Sequence, residues 1–357
     1  MAYTDIDDPS AHFQTALYTG TGSANNVITN DGNSDLQPDL IWFKSRDAGN
    51  SHYVVDSSRG RDKGLYPDVI NAEVTSSGST TDCQSFDTDG FTVGTPEDAN
   101  STNSSSSAKV AWQWKANGGT TATNNDGSTA STVQVNQDAG FSIITYTGTG
   151  SETTFGHGLG VAPEVIIAKK RGGTASWVVW FKAFNNSDGY LVLNAADKME
   201  EATTIFTNTD PTSSVITLGS SSTVNQNTVT HLMYAFAPKQ GYSKFGKYVG
   251  NGNADGPFVY TGFKPAFILF KKSSDYGDNW MMYDNKRPGF NVTDQALHPN
   301  SEAAEYDSAN ANLDILSNGF KLRSSFGWVN QNTHTYVYMA FAENPFTTST
   351  GVPCTAR

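Results

Sequence analysis

Apolar positions along this chain come in short bursts, not in long helical stripes. In Gly140-Phe-Ser-Ile-Ile-Thr-Tyr146, Phe141, Ile143 and Thr145 alternate with Ser142, Ile144 and Tyr146. That period of two predicts a strand with two usable faces. Gly241-Tyr-Ser-Lys-Phe-Gly-Lys-Tyr248 has the same form. Three other runs are continuously apolar behind a proline: Pro38-Asp-Leu-Ile-Trp-Phe-Lys44, Pro163-Glu-Val-Ile-Ile-Ala-Lys169 and Pro265-Ala-Phe-Ile-Leu-Phe-Lys271. Their β-branched and aromatic residues predict strands covered on both faces. Proline suits a strand start, where no ladder donor is needed. Shorter strands are expected at Tyr53-Val-Val55, Trp177-Val-Val-Trp180 and Trp280-Met-Met-Tyr283, and closing strands at Val110-Ala-Trp-Gln-Trp114, Met233-Tyr-Ala-Phe-Ala237 and Met339-Ala-Phe-Ala342. Asp89-Gly-Phe91 and Asn318-Gly-Phe320 carry hairpin turn dipeptides. One short helix is expected at residues 195–202, while 299–314 follows no decisive pattern.

These signals recur in a fixed order. Tyr18-Thr-Gly-Thr-Gly22 returns as Tyr146-Thr-Gly-Thr-Gly150 and, loosely, as Tyr248-Val-Gly-Asn-Gly252. Val224-Asn-Gln-Asn-Thr228 is repeated word for word at Val329-Asn-Gln-Asn-Thr333. Self-similarity of this kind predicts an all-β chain of three tandem antiparallel β-sandwich, jelly-roll-like repeats of about 100 residues each. The expected divisions are an N-terminal arm over 1–12, repeat one over 13–116, a Gly/Ser/Thr/Asn linker over 117–132, repeat two over 133–237, repeat three over 238–346 and a polar tail over 347–357. The long linker predicts that repeat one pivots, whereas Pro238-Lys-Gln-Gly241 joins the other two tightly.

Composition narrows the function. Charged residues make up 16% of the 357 positions and the net charge is −12. Nucleic-acid binding needs a clustered Lys/Arg excess, so it is not expected. No apolar stretch approaches a membrane span, and the first residues lack the basic start and apolar core of a secretory signal. Cys83 and Cys354 are the only cysteines and read as isolated thiols.

Candidate chemistry is sparse. Asn251, Asn253 and Asp255 with Gly256 match the first half of a calcium loop, but Gly262 stands where a bidentate Glu belongs. Gly241, Gly246 and Lys247 imitate a phosphate loop, but Tyr248 replaces the required Ser or Thr. The six histidines show no zinc spacing. Asp56 with Arg59 and Asp284 with Arg287 sit at matching places; unit two has Phe181 there, which points to a repeated structural contact and not to paired catalytic acids. No catalytic residue, metal or cofactor is assigned. Seven Trp, 15 Tyr and 20 Phe are a surplus, and Trp177, Trp180, Trp280 and Trp328 are candidates for stacking on sugar rings.

The order of Asp8-Pro-Ser with Phe13-Gln-Thr, Tyr-Thr-Gly-x-Gly, Pro-Asp-Leu-Ile-Trp-x-Lys-x-Arg46, Asp89-Gly-Phe91, Val110-Ala-Trp-x-Trp-Lys115 and Gly351-Val-Pro-Cys-Thr-Ala-Arg357 resembles an uncharacterised family of virion proteins of tailed phages, above all those of marine bacteria. The resemblance implies a non-enzymatic tail or fibre protein, assembled in the host cytoplasm and carried on the virion. Its partners would be other virion proteins, further copies of itself (a homotrimer) and a host-surface glycan. A capsid-exterior decoration protein is the alternative, and a polysaccharide hydrolase a third reading.

Overall fold

The computed structural model describes residues 4–76, 82–95, 102–307 and 310–355, so residues 1–3 of the expected arm and 356–357 of the expected tail lie outside it. The fold is all-β. One strand order occurs three times. In unit one, Phe13–Thr19, Ala108–Trp114, Leu40–Ser45 and Tyr53–Asp56 lie side by side, all antiparallel. In unit two the same places are taken by Phe141–Thr147, Thr230–Phe236, Val165–Lys170 and Val178–Phe181. In unit three they are taken by Ser243–Val249, Thr335–Pro345, Phe263–Lys272 and Met281–Asp284. The Pro-led runs are the inner strands, paired on both edges.

Each main sheet has two buried faces. One packs on a smaller sheet of its own unit: Asn26–Ile28, Gly90–Val93 and Ser85–Asp87 in unit one; Thr153–Gly156 and Val215–Leu218 in unit two; Phe258–Tyr260, Gly319–Leu322 and Leu313–Leu316 in unit three. Each of these sandwiches encloses a separate core. The other face of all three main sheets meets in one common core. Phe341 of unit three touches Trp114 of unit one at 5.6 Å and Phe236 of unit two at 5.7 Å, and these rings hold the same register position in their sheets. The twofold covering read from the Pro-led runs is therefore one part local sandwich and one part neighbouring units.

This shared core corrects the expectation that unit one pivots. Trp112, Trp114, Trp42 and Phe13 are packed among residues of both other units. The segment 117–132 is also not a free linker. Ala122–Asn124 and Ser131–Asn136 form a hairpin that extends the main sheet of unit two, pairing with the edge strand Phe141–Thr147. Its sequence lacks a long apolar run because much of the hairpin faces solvent.

The expected arm is docked. Ile6 is buried in the common core, Asp8 caps the short 3-10 turn Pro9–Ala11, and Thr4 Oγ1 donates to the Gln240 carbonyl at 2.8 Å. Asp7 accepts the Ser349 amide at 2.7 Å, which ties the segment before the first strand to the one after the last strand of unit three. Residues 195–202 form no helix; they turn into the short strand Glu200–Glu201. The repeated Val-Asn-Gln-Asn-Thr words place their Val and first Asn at the end of one-turn helices, Ser222–Asn225 and Gly327–Asn330.

Candidate functional site

The echoed polar residues collect at the seams between units, where they make a cyclic set of contacts. His52, Trp177 and Trp280 hold the same position, just ahead of the fourth strand of each main sheet. Trp177 Nε1 of unit two donates to the Tyr66 carbonyl of unit one at 2.9 Å. Trp280 Nε1 of unit three donates to the Val192 carbonyl of unit two at 2.9 Å. His52 Nε2 of unit one lies 3.0 Å from the His298 carbonyl of unit three. His52 Nδ1 accepts from the Trp42 indole at 2.8 Å, which leaves Nε2 as the protonated nitrogen that donates onward. Burial pushes the His52 pKa well below its usual value, so the ring stays neutral. Each unit thus reaches back onto another, and the third contact closes the ring.

Three lysines repeat the same circuit. Lys169 Nζ donates to the Ile70 carbonyl of unit one, Lys271 Nζ to the Ala196 carbonyl of unit two and Lys44 Nζ to the Glu302 carbonyl of unit three, at 3.0, 3.2 and 3.0 Å. All three are buried at the ends of the Pro-led strands, and burial lowers each pKa to about 8. Three backbone bonds run alongside: Glu73 N to Arg171 O, Met199 N to Ser273 O and Glu305 N to Arg46 O, at 3.0, 2.9 and 2.7 Å.

Two seams add a buried ion cluster. Between units one and two, Arg59 Nε donates to Asp56 Oδ2 at 2.5 Å and its Nη1 to Glu73 Oε2 at 2.9 Å. Arg171 grips the same Glu73 carboxylate at 2.7 and 2.9 Å, and the Tyr234 hydroxyl donates to Asp56 Oδ2 at 2.8 Å. Burial opposes the charge on Arg59, but Asp56 outweighs it and holds its pKa above the ordinary value. Burial likewise opposes ionised Glu73; the hydrogen bonds from Arg171 prevail and its pKa is lowered. Between units three and one, Asp284, Arg287, Glu305 and Arg46 form the matching cluster, with the Trp112 indole donating to Asp284 Oδ2 at 3.1 Å. Between units two and three the same five places hold Phe181, Phe184, Met199, Ser273 and Met339. There Phe181 packs on Phe184 at 5.6 Å and on Trp280 of unit three at 6.5 Å. The five places differ between seams as a block, charged at two and uncharged at the third, as suits a buried network in which a half-satisfied set is costly.

The turn motif has an equally regular role. Asn103, Asn225 and Asn330 are fully buried. Each Oδ1 accepts an amide of the Gly-x-Gly turn (Thr21, Thr149 and Asn251, all at 2.8 Å), and each Nδ2 donates to two or more oxygens. A Cβ on Gly148 or Gly250 would lie 2.3 or 2.2 Å from the carbonyl oxygen of Gln226 or Gln331, which is why the first glycine of the motif recurs. The chain belongs to the family described as a domain of unknown function, DUF7483. That family matches residues 8–345, so it takes in all three units and all three seams. No curated protein and no solved structure matches the chain.

The structure separates the candidate residues from the roles first suggested for them. Trp177, Trp180 and Trp280 are buried, so none can offer a ring face to a sugar; the first and third join units, and Trp180 Nε1 donates to the Ser187 carbonyl at 3.0 Å. Trp328 is half-buried, wedged against His298 and Phe326 at 5.4 and 5.1 Å. The calcium-like loop is satisfied without an ion. Asn251 Oδ1 accepts the Asn253 amide, Asn253 Oδ1 accepts the Asp255 amide, and Asp255 pairs with Lys321 at 2.8 Å. No cluster of three metal-ligating side chains occurs among the described residues. Gly241, Gly246 and Lys247 lie at the start of and within an edge strand, where no phosphate cradle forms. The expected Asp–Arg contacts form in both units: Arg59 with Asp56 at 2.5 Å and Arg287 with Asp284 at 2.6 Å. Cys83 and Cys354 are free thiols, and burial raises the Cys83 pKa to about 12. No helix among the described residues is long and apolar enough to cross a membrane.

Proposed function

We propose that this chain is a non-enzymatic structural protein of a phage particle, carried on the tail or a fibre and facing the host surface. The observation that supports this is the use of its echoed Asp, Arg, Glu, Lys and Trp side chains: they join three sheets into a closed ring and are consumed in doing so. The order of its motifs, which resembles that of tailed-phage virion proteins, supports the same reading. Further copies of the chain, in a homotrimer, stay among its proposed partners, each copy itself a ring of three units. Host contact then falls to exposed aromatic residues such as Tyr276 and Phe290 in loops and Tyr306 in a short strand, and not to the buried Trp177, Trp180 and Trp280. A glycan remains the proposed host ligand, since aromatic rings beside amide and carboxylate side chains suit sugars.

Immunogold labelling of intact particles tests the reading. Gold at the tail or fibre is the expected result, and gold spread evenly over the capsid supports the decoration alternative. Absence of the chain from purified particles by mass spectrometry sinks both.

A further inference from the structure

One seam shows how the chain fills a cleft that the next seam leaves open. Where units one and two meet, the strand Ser131–Asn136 lies along the outer edge of Phe141–Thr147 with Thr132 opposite Thr145 and Gln134 opposite Ile143. Gln134 is fully buried in the seam. Its Oε1 accepts the amides of Asn117 and Gly119 at 3.1 and 2.8 Å, and its Nε2 donates to the hydroxyls of Ser57 and Ser58 at 3.0 and 2.7 Å.

The edge strand Ser243–Val249 is the register equivalent of Phe141–Thr147 in unit three. Among the described residues its only strand partner is Thr335–Pro345; Lys239 bridges the outward-facing backbone of Ser243, and from Lys244 to Val249 the outer edge has no second strand. Beside it, between units two and three, is a cleft of about 780 Å3 lined by Glu164, Lys239, Lys244, Phe245, Tyr260 and Phe346 among others. Glu164 corresponds to Asp39, the residue that in the filled seam accepts the Ala116, Gly118 and Gly119 amides. Val249 stands exposed on this edge, and Tyr260 of the smaller sheet, also exposed, accepts from Lys244 Nζ through its carbonyl at 3.0 Å and presents its ring to the same ammonium at 5.0 Å. The third seam differs: its cleft of about 500 Å3 is crossed by the Lys286–Asp31 ion pair.

We propose that the open edge Lys244–Val249 binds an extended acidic strand of another protein chain, added antiparallel as Ser131–Asn136 is added in unit two. Strand addition uses main-chain hydrogen bonds for affinity and alternate side chains for selection. The selecting charges are Lys244 and Lys247, the only charged side chains on this strand. Transferring the register of the filled seam sets the position of Val135 opposite Lys244 and that of Thr132 opposite Lys247. Acidic residues at those two places complement the edge. The same lysines disfavour pairing with a second copy, because an edge-to-edge pair gathers four positive charges in one small patch.

The test uses the whole chain and a peptide of residues 129–138 carrying Glu in place of Thr132 and Val135. Hydrogen exchange with mass spectrometry should show added protection over 243–249, and fluorescence anisotropy should give saturable binding. The Lys244→Glu/Lys247→Glu variant, checked for an unchanged unfolding midpoint, should bind at least tenfold more weakly, and a peptide with Lys at the two positions should bind the variant in preference to the parent. Three results overturn the proposal: no protection at the edge, affinity unchanged by charge reversal, or concentration-dependent self-association of the parent that the double variant abolishes.

Discussion

Arg171 of unit two closes a two-pronged ion pair on Glu73 of unit one, 2.7 and 2.9 Å away, while Arg59 holds the same carboxylate from its own unit. Glu73 is thus the point at which two sheets are locked together.

Glu73→Ala should leave two arginines facing each other in a largely buried seam. Removing one member of such a network costs about 3–5 kcal/mol. Urea unfolding followed by tryptophan fluorescence gives the value. Replacing the whole set with its apolar counterpart, D56F/R59F/E73M/R171S/Y234M, should recover most of that loss, since the seam between units two and three already folds with those residues. A combined variant less stable than E73A would contradict the block exchange.

Stability should rise as pH increases from about 8 toward 10. Lys44, Lys169 and Lys271 have folded pKa values lowered to about 8 from 10.5. Between those values the unfolded chain binds more protons than the native one, so unfolding becomes harder as pH climbs. Below the folded value both states carry the charge and the penalty is fully present. Above about 10 the trend reverses, because buried Tyr146, Tyr234 and Tyr248 have raised pKa values and ionise only when unfolded. Urea midpoints across this range should show the rise, opposed above pH 9 by the Cys83 thiol, whose pKa burial raises to about 12, and Lys271→Met should reduce its slope. A flat profile would mean that the carbonyl cages keep the ammonium charged.

Asn103→Ala, Asn225→Ala and Asn330→Ala should destabilise by similar amounts, roughly 2–3 kcal/mol each, because each strands buried amides and carbonyls of the same turn. Unequal losses would show that the three turns are not energetically equivalent. Gly250→Ala should also destabilise, by about 1–3 kcal/mol, since its Cβ would meet a backbone oxygen that has nowhere to move.

Millimolar calcium, or a chelator, should leave the melting temperature unchanged. The Asn251, Asn253 and Asp255 oxygens are already engaged by amides and by Lys321. A calcium-dependent rise would restore the loop as a cation site.

The strands were legible because their patterns are local. The period of two at Phe141–Thr147 and Ser243–Val249, the Pro-led runs and the short apolar bursts located eleven of the twelve main-sheet strands, all but Phe13–Thr19. The Asp56–Arg59 contact was legible because it repeats at the same spacing in unit three. The seams were not legible, since they join residues far apart in the chain, and tryptophan looks alike whether it waits for a sugar or fills an interface. A usable signal did exist: Asp56, Arg59 and Glu73 become Phe181, Phe184 and Met199 together. Three places that change character in concert are places in contact. The hairpin over 122–136 escaped notice because its Ser, Thr and Asn residues serve equally for an outer strand and a flexible tether.

Holding three units on one polypeptide also alters how the assembly can evolve. In a ring of identical subunits any substitution at a contact appears at every contact at once, so an ionic joint could become an oily one only everywhere or nowhere. Here the joint around Phe181 is oily while those around Asp56 and Asp284 are ionic. Covalent fusion lets each joint drift on its own, and a surface that began as three copies of one design can come to present three different neighbours.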